Sequence, residues 1–432
     1  MPDNILLKNI SQYVNSPVKL DGWLYNKRSS GKIIFLQFRD GTGVVQAIAL
    51  KNKLEAKAWK QAGDITIESS VEVIGKVRQD VRSPSGYEID LTDIQIIQLA
   101  PPDYPIGKKE HGPGFLLDNR HFWLRSEKQR AVQIVRNEII KSIRAFYESA
   151  DFTEIDTPIF TPNACEGTTT LFQVDYFGEP AYLSQSGQLY LEACLPSFNR
   201  VFDFQPVFRA EKSKTRRHLT EFWMTNAESA FVDHQQNLIL QEKLIYHVIQ
   251  DVLRFCRPQL LILERDPVKL EKIHLPFDRC THSQAVKRLR QKGSRITESD
   301  DLGAEDETLL VEGSSNPIFV EYYPAKVKAF YMKRWEEDDT KVKCADLIAP
   351  EGHGEIIGGS QREDDYATLL ASIKEQHLPE KDFQWYLDQR KYGSVPHSGF
   401  GVGLERLVKW LCGLKHVRET IPFPRMLNRL RP

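Results

Sequence analysis

The sequence predicts an α+β protein in two parts: a small closed barrel of five strands, then a larger domain on an antiparallel sheet. Three observations carry this expectation. Residues 18–99 read as short alternating runs (VKLDGWLY, IIFLQFRD, VVQAIAL, SVEVIGKVRQD, YEIDLTDIQII) separated by turn residues. Alternation has the period of a strand, and one helical stretch, 53–62, lies between the third and fourth runs. That order predicts a barrel of the oligonucleotide-binding (OB-fold) type over residues 1–100. Next, PPDYPIGKKEHGPG is dense in Pro and Gly and marks a linker or hinge at 101–123. Beyond it, over 124–432, strands and helices mix without a repeating strand–helix alternation. That excludes a doubly wound parallel sheet.

Within the second part, 127–149 carries Ala131, Ile134, Val135, Ile139 and Ile143 at helical spacing. Residues 233–255 and 364–390 also read as helical, and the polar stretch 287–315 as a variable insertion. The most informative segment is FRAEKSKTRRHLTEFWMTNAESAF, from Phe208 to Phe231. It predicts two antiparallel strands joined by a basic loop. Arg209 and Glu211, two apart, share a face. Lys212, Lys214, Arg216, Arg217 and His218 make a cationic tip, and Glu221, Phe222 and Trp223 begin the return. Such a hairpin suits a nucleotide: Arg and His for phosphates, Phe for a base face, Glu for a polar edge. Taken alone, it also fits a solvated basic loop.

Composition narrows the class. A hydrophobic share of 41% over 432 residues supports packed cores and argues against disorder. No apolar run approaches the roughly 20 residues of a membrane span, and the first residues lack a signal-peptide pattern. Six scattered cysteines argue against a zinc ribbon or a disulfide framework and place the chain in a reducing cytoplasm. The net charge of −1 gives no global attraction to nucleic acid, so an RNA site needs local basic residues. On the barrel, Arg28, Phe35 and Gln46 stand on successive strands, where an exposed ring stacks a base and Arg and Gln read base edges. Alternation allows only one of Phe35 and Leu36 to point inward, and it leaves open which. Lys27 and Lys32 add local charge for a phosphate backbone.

The Phe208–Phe231 segment resembles motif 2 (near 207–231) of class II aminoacyl-tRNA synthetases of the aspartate, asparagine and lysine subgroup. Gly401-Val402-Gly403-Leu404-Glu405-Arg406 resembles motif 3 (near 399–413). Glu154-Ile155-Asp156-Thr157-Pro158 resembles the end of motif 1 (near 127–158). The three come in the family's order, and the resemblance runs over 22–432. Leu183-Ser184-Gln185-Ser186-Gly187-Gln188-Leu189-Tyr190 and Gly354-Glu355-Ile356-Ile357-Gly358-Gly359-Ser360-Gln361-Arg362 carry a finer resemblance to the asparagine-specific members.

The resemblance implies a class II catalytic domain, an anticodon-binding barrel using Arg28, Phe35 and Gln46, and a homodimer through motif 1. It implies a reaction in which ATP activates asparagine and tRNA accepts it. Arg209 would bridge the α-phosphate and the amino-acid carboxylate, and Arg217 and His218 would meet the outer phosphates. Arg406 would stack on adenine or reach the γ-phosphate, Phe222 would lie on the other adenine face, and Glu211 would take the adenine amino group. Mg²⁺ would sit with ATP at Asp346 and Glu355. Gly358 stands where aspartate enzymes carry a Ser that helps hold the metal. Glu166, Ser186 and Gln188 would hold the α-amino end, and Arg362 would donate to the side-chain carbonyl. Leu191 replaces the Lys that pairs with substrate carboxylate in aspartate enzymes, which argues against aspartate on charge grounds.

Three positions depart from the family pattern. Asn226 stands where an acidic residue usually accepts from the substrate amide, Gln205 where Gly is usual, and Thr170 where Glu is frequent. An Asn can still accept through its carbonyl oxygen. The departures leave two other readings open. One is a paralogue that activates asparagine, aspartate or an analogue for another acceptor. The other is a non-catalytic RNA-binding relic.

Overall fold

The computed structural model describes all residues except 1, 84, 108, 166–170 and 213–214. The chain divides into two compact units, Met1–Gly112 and Pro113–Pro432. In the first, the strands are Pro17–Ser30, Ile33–Arg39, Val44–Leu50, Ser70–Gln79 and Tyr87–Gln98. The helix Ala56–Asp64 lies between the third and fourth. The first strand pairs antiparallel with the second and the fourth. The third runs antiparallel to the second and parallel to the fifth, and the fifth returns antiparallel to the fourth, closing the barrel. Strand alternation sorts the two faces. Ile34, Leu36, Phe38, Val45, Ala47 and Ala49 are buried inside, and Phe35, Gln37 and Gln46 are half-buried on the outer face.

Lys27 does not stand ready for phosphate. Its Nζ donates to the carbonyls of Gly63 at 2.8 Å and Ile65 at 2.7 Å. It thus satisfies the C-terminal end of the barrel helix, where unpaired carbonyls attract cations.

The second unit is built on a nine-stranded sheet among the described residues. Its order is Asp278–Thr281, Ile318–Glu321, Cys344–Ala349, Gly354–Gln361, His397–Gly403, Glu221–Ala230, Arg200–Phe202 and Thr153–Glu154. Gln205–Phe208 is also paired to Glu221–Ala230. The pairings are antiparallel except at the two ends. Two long helices cover one face. Glu127–Ser149 starts at Ser126, whose side chain accepts from Gln129 N, and His234–Phe255 starts at an Asp233–Gln236 capping box. Val132, Val135, Ile139 and Ile143 join Leu238, Ile245, Val248 and Val252 in one core with Phe319, Leu347 and Val402 of the sheet.

Local details differ from the sequence reading. Pro113–Asp118 and Arg120–Trp123, inside the stretch expected to be linker, are short helices of the second unit. The 364–390 stretch is two helices, Tyr366–Glu375 and Glu380–Asp388. His377, at φ 54°, and Pro379, which has no N–H to donate, part them. The 287–315 insertion holds the ordered helix Ala304–Leu310. In the hairpin, the first strand ends at Phe208, so Arg209 and Glu211 stand in the loop.

The C-terminal segment packs back on this unit through one buried guanidinium. Arg120 is 1% exposed. It donates to Pro422 O at 2.7 Å, Ile421 O at 2.9 Å and Gln129 Oε1 at 2.7 Å. Removing it leaves buried acceptors unpaired. Arg120→Met is expected to lower stability by about 3 kcal/mol, read as a lower urea midpoint at unchanged slope.

Candidate active site

Four neighbouring strands of the sheet floor a cavity of about 630 Å³. Along Glu221–Ala230, the residues two apart point the same way. Phe222, Met224 and Asn226 therefore line the cavity in a row. Arg209, Glu211, Arg217 and His218 enter from the hairpin loop, Asp346, Glu355 and Arg362 from the strands Cys344–Ala349 and Gly354–Gln361 and their ends, and Arg406 from the helix Leu404–Leu411. All line the same cavity, as does Gln188. Ser186 is buried just behind, bonded to Asn226. Glu166 lies outside the described residues, as do Thr170 and Lys214.

One end of the cavity gathers Arg209, Arg217, His218 and Arg406. The Arg209 guanidinium lies 5.9 Å from the Phe222 ring centre. Arg406 Nη1 donates to Glu355 O at 3.0 Å and Oε2 at 2.9 Å. Arg217, expected to face the outer phosphates, is held by the protein's own groups. It pairs with Glu307 and donates to Thr308 Oγ1 and Gly352 O, both at 2.9 Å. Glu307 belongs to the Ala304–Leu310 helix. Burial, with Glu355 nearby, raises its carboxyl to about 7. Burial lowers His218, and Arg406 adds to the effect, which favours the neutral ring.

The carboxylates of Asp346 and Glu355 suit a divalent cation. A Cβ built on Gly358 would lie 3.1 Å from Glu355 Oε1 and 3.6 Å from Asp346 Oδ1. Their other oxygens are taken, Asp346 Oδ2 by Lys328 at 2.8 Å and Glu355 Oε2 by Arg406. Among the described residues no hydrogen bond engages the two that face the gap. Two such oxygens beside the phosphate end match the sparse protein ligation Mg²⁺ accepts. No cluster of three metal-binding side chains occurs among the described residues.

The other end is buried and rests on paired charges. Arg362 is 3% exposed. Its Nε donates to Glu228 Oε2 at 3.1 Å, its Nη2 to Glu228 Oε1, and its Nη1 to Ser360 Oγ at 2.7 Å. Behind it, Glu192 accepts from Arg390 at 2.7 Å, Tyr386 at 2.6 Å and Gln188 at 3.1 Å, with His397 Nε2 at 3.1 Å. Burial alone would raise Glu192, but Arg390, His397 and Arg362 outweigh it and hold it well below the usual carboxylate range. Burial is also the largest influence on Glu228 and raises it, against the pull of Arg362.

Asn226 is oriented from below. Its Nδ2 and backbone N both donate to Asp203 Oδ1 at 2.9 Å, and its Oδ1 accepts from Ser186 Oγ at 3.1 Å. The amide nitrogen is therefore spent behind the cavity wall, and the carbonyl oxygen is the atom available to a ligand.

Sequence reasoning missed Glu228, Glu192, Arg390, His397, Asp203, Lys328 and Glu307. Glu228 continues the Phe222, Met224, Asn226 row, and Glu192 is one helical turn from Gln188, so both spacings were readable. Arg390, 198 residues from Glu192, had no local signal.

On the barrel, Arg28 and Phe35 are cross-strand partners, and the guanidinium lies 4.4 Å from the ring centre. Phe35 is outward and Leu36 inward. Gln46 stands on the same outer face, its Nε2 bonded to Glu88 at 2.6 Å.

Breaking the buried network has a calculable cost. Arg390→Met strands Glu192 without its main cation. A loss of about 3–5 kcal/mol is expected, measured by chemical denaturation at pH 7.

Comparison with known proteins agrees with this geometry. Residues 113–427 match the family described as tRNA synthetases class II (D, K and N), and residues 18–97 the OB-fold nucleic acid binding domain. The asparagine–tRNA ligase of Desulforamulus reducens is 52% identical over 427 residues, 99% of each chain. That of Pelotomaculum thermopropionicum is 50% identical over the full length of both. The crystal structure of asparaginyl-tRNA synthetase from Pyrococcus horikoshii complexed with asparaginyl-adenylate superposes with a TM-score of 0.97 at 42% identity, covering 100% of both chains.

Proposed function

The chain belongs to the class II tRNA synthetases of the D, K and N group, and we propose that it is an asparagine–tRNA ligase. ATP activates asparagine to an adenylate, and the acyl group then passes to tRNA. The observation that carries the choice of amino acid is the Arg362–Glu228 pair. Glu228 cancels the charge of Arg362 while leaving N–H groups for a carbonyl oxygen. The Asn226 carbonyl, oriented by Asp203, offers the matching acceptor for an amide N–H. A neutral amide pairs with both. Aspartate would place a second carboxylate against an acceptor and a neutralised cation, leaving buried groups unpaired.

In the first step an asparagine carboxylate oxygen attacks the α-phosphorus. That P–O bond forms as the bond to the β-phosphate breaks, and diphosphate leaves with the electron pair. Arg209 holds the two anions together, and Arg217, His218 and Arg406 meet the charge on the departing phosphates. This is positioning and electrostatic stabilisation without a protein nucleophile. Phe222 and Arg406 flank adenine, and Glu211 accepts from its amino group. Gln188, Ser186 and Glu166 hold the α-amino end. Mg²⁺ held by Asp346 and Glu355 would neutralise phosphate charge when bound. In the second step the terminal ribose hydroxyl of tRNA attacks the acyl carbon and AMP leaves.

The barrel reads the anticodon. A base stacks on Phe35 once Arg28 swings aside, and Gln46 presents its carbonyl oxygen. The chain works as a cytoplasmic dimer. Support for the dimer is the exposed cluster Phe160, Tyr176 and Phe177, with ring centres 5.8 and 5.0 Å apart in sequence order, just after motif 1. Support for a reducing compartment is that Cys194, Cys256, Cys280, Cys344 and Cys412 are free thiols. The altered-acceptor and relic readings lose their motive, because the neutral Asn226 is compensated by Glu228 and Asp203.

Asparagine-dependent ATP–diphosphate exchange tests the function, and exchange with aspartate in place of asparagine would overturn it. Arg209→Ala is expected to reduce exchange by roughly a hundred- to a thousandfold. Phe35→Ala is expected to weaken tRNA binding by about 1–3 kcal/mol in fluorescence anisotropy, with exchange unchanged.

A further inference from the structure

A second cavity, of about 560 Å³, shares only Arg217 with the first among the described residues. It is lined by the cations Arg216, Arg217, Arg265, Lys269, Lys409 and Lys415. Its carboxylates are already engaged. Glu351 accepts from Arg265 at 2.6 and 2.8 Å and from Lys269 at 2.9 Å. Glu264 pairs with Lys128 at 2.7 Å, and Asp266 caps Val268 N at 3.0 Å. Arg217 is matched by Glu307. Arg216, Lys409 and Lys415 remain, with no carboxylate at ion-pair distance among the described residues.

Lys409 is the decisive member. It lies one helical turn after Arg406 and is only 5% exposed. Long ammonium side chains are rarely buried without a partner. Burial, reinforced by Arg217 and Arg406, pushes it down to about 8. Nearby, His353 has a buried Nδ1 without a hydrogen-bond partner. A wall of unmatched cations beside the phosphate end of the active site lacks one thing, a small anion of high charge.

We propose that this cavity is a second anion site, which binds inorganic diphosphate, the leaving group of the first step. Its position beyond Arg217 gives the product a place to move once Arg217 returns to Glu307, vacating the catalytic phosphate site. Three unmatched cations suit diphosphate better than the less charged inorganic phosphate. The identity of the ligand rests on the adenylation proposed above, whereas the binding measurement does not.

The test fills the first cavity of the full chain with α,β-methylene-ATP and titrates inorganic diphosphate calorimetrically. One diphosphate per chain is expected. Lys409→Met is expected to weaken it by about tenfold or more. Lys415→Ala, at an exposed position that folding does not depend on, is expected to weaken it by about threefold. Both should keep the wild-type KM for ATP in asparagine-dependent exchange. No binding to the analogue-filled chain, unchanged binding in the Lys415 variant, or equal binding of inorganic phosphate would overturn the proposal. A chain that binds diphosphate here but shows no asparagine-dependent exchange would sink the proposed activity and leave the site standing.

Discussion

Charges buried away from water must be paired, and the buried end of the candidate site is organised around that constraint. Arg362, Glu228, Glu192, Arg390 and His397 form one buried cluster: Glu228 and His397 from two strands, Glu192 from the helix Gln188–Phe198, and Arg362 and Arg390 from just beyond a strand and a helix. Each member would be costly alone. Together they hold one another in place and set the net charge at this end of the cavity. The sheet register makes the cluster possible. Glu228 lies opposite Gly399, and a side chain at 399 would collide with the Glu228 carboxylate. Glycine there is a packing requirement of the ion pair.

The phosphate end follows a different logic. Its cations are paired with carboxylates that can be exchanged: Arg217 with Glu307, Arg406 with Glu355, Lys328 with Asp346. Without a ligand these internal pairs keep like charges from facing each other across the cavity. In the proposed reaction, incoming ATP would compete for the same guanidinium groups. The two ends thus divide the work between rigid discrimination and replaceable charge.

Much of this was legible in the chain. Alternating apolar residues gave the barrel, because a half-buried strand has a period of two and no other element does. The helix 127–149 was read to its ends from its apolar spacing. The hairpin and its cations form a local run, so Arg209, Glu211, Arg217, His218 and Phe222 are legible from their neighbours alone. What failed locally failed for local reasons. The 364–390 spacing reads as one helix although Pro379 breaks it, and Lys27 reads as a phosphate contact although a helix end has the prior claim.

By itself, the sequence determined the element types, the order of the motifs and the residues able to face a nucleotide, since each depends on neighbours a few positions apart. Only the tertiary structure decided the partners. Asn226 looked like a weakened pocket until folding brought Asp203 beneath it and Glu228 against Arg362. Glu307 looked like part of a variable insertion until it met Arg217. Long-range pairing of buried charge leaves no periodic trace along a chain, because the attraction acts through space between residues that sequence keeps far apart.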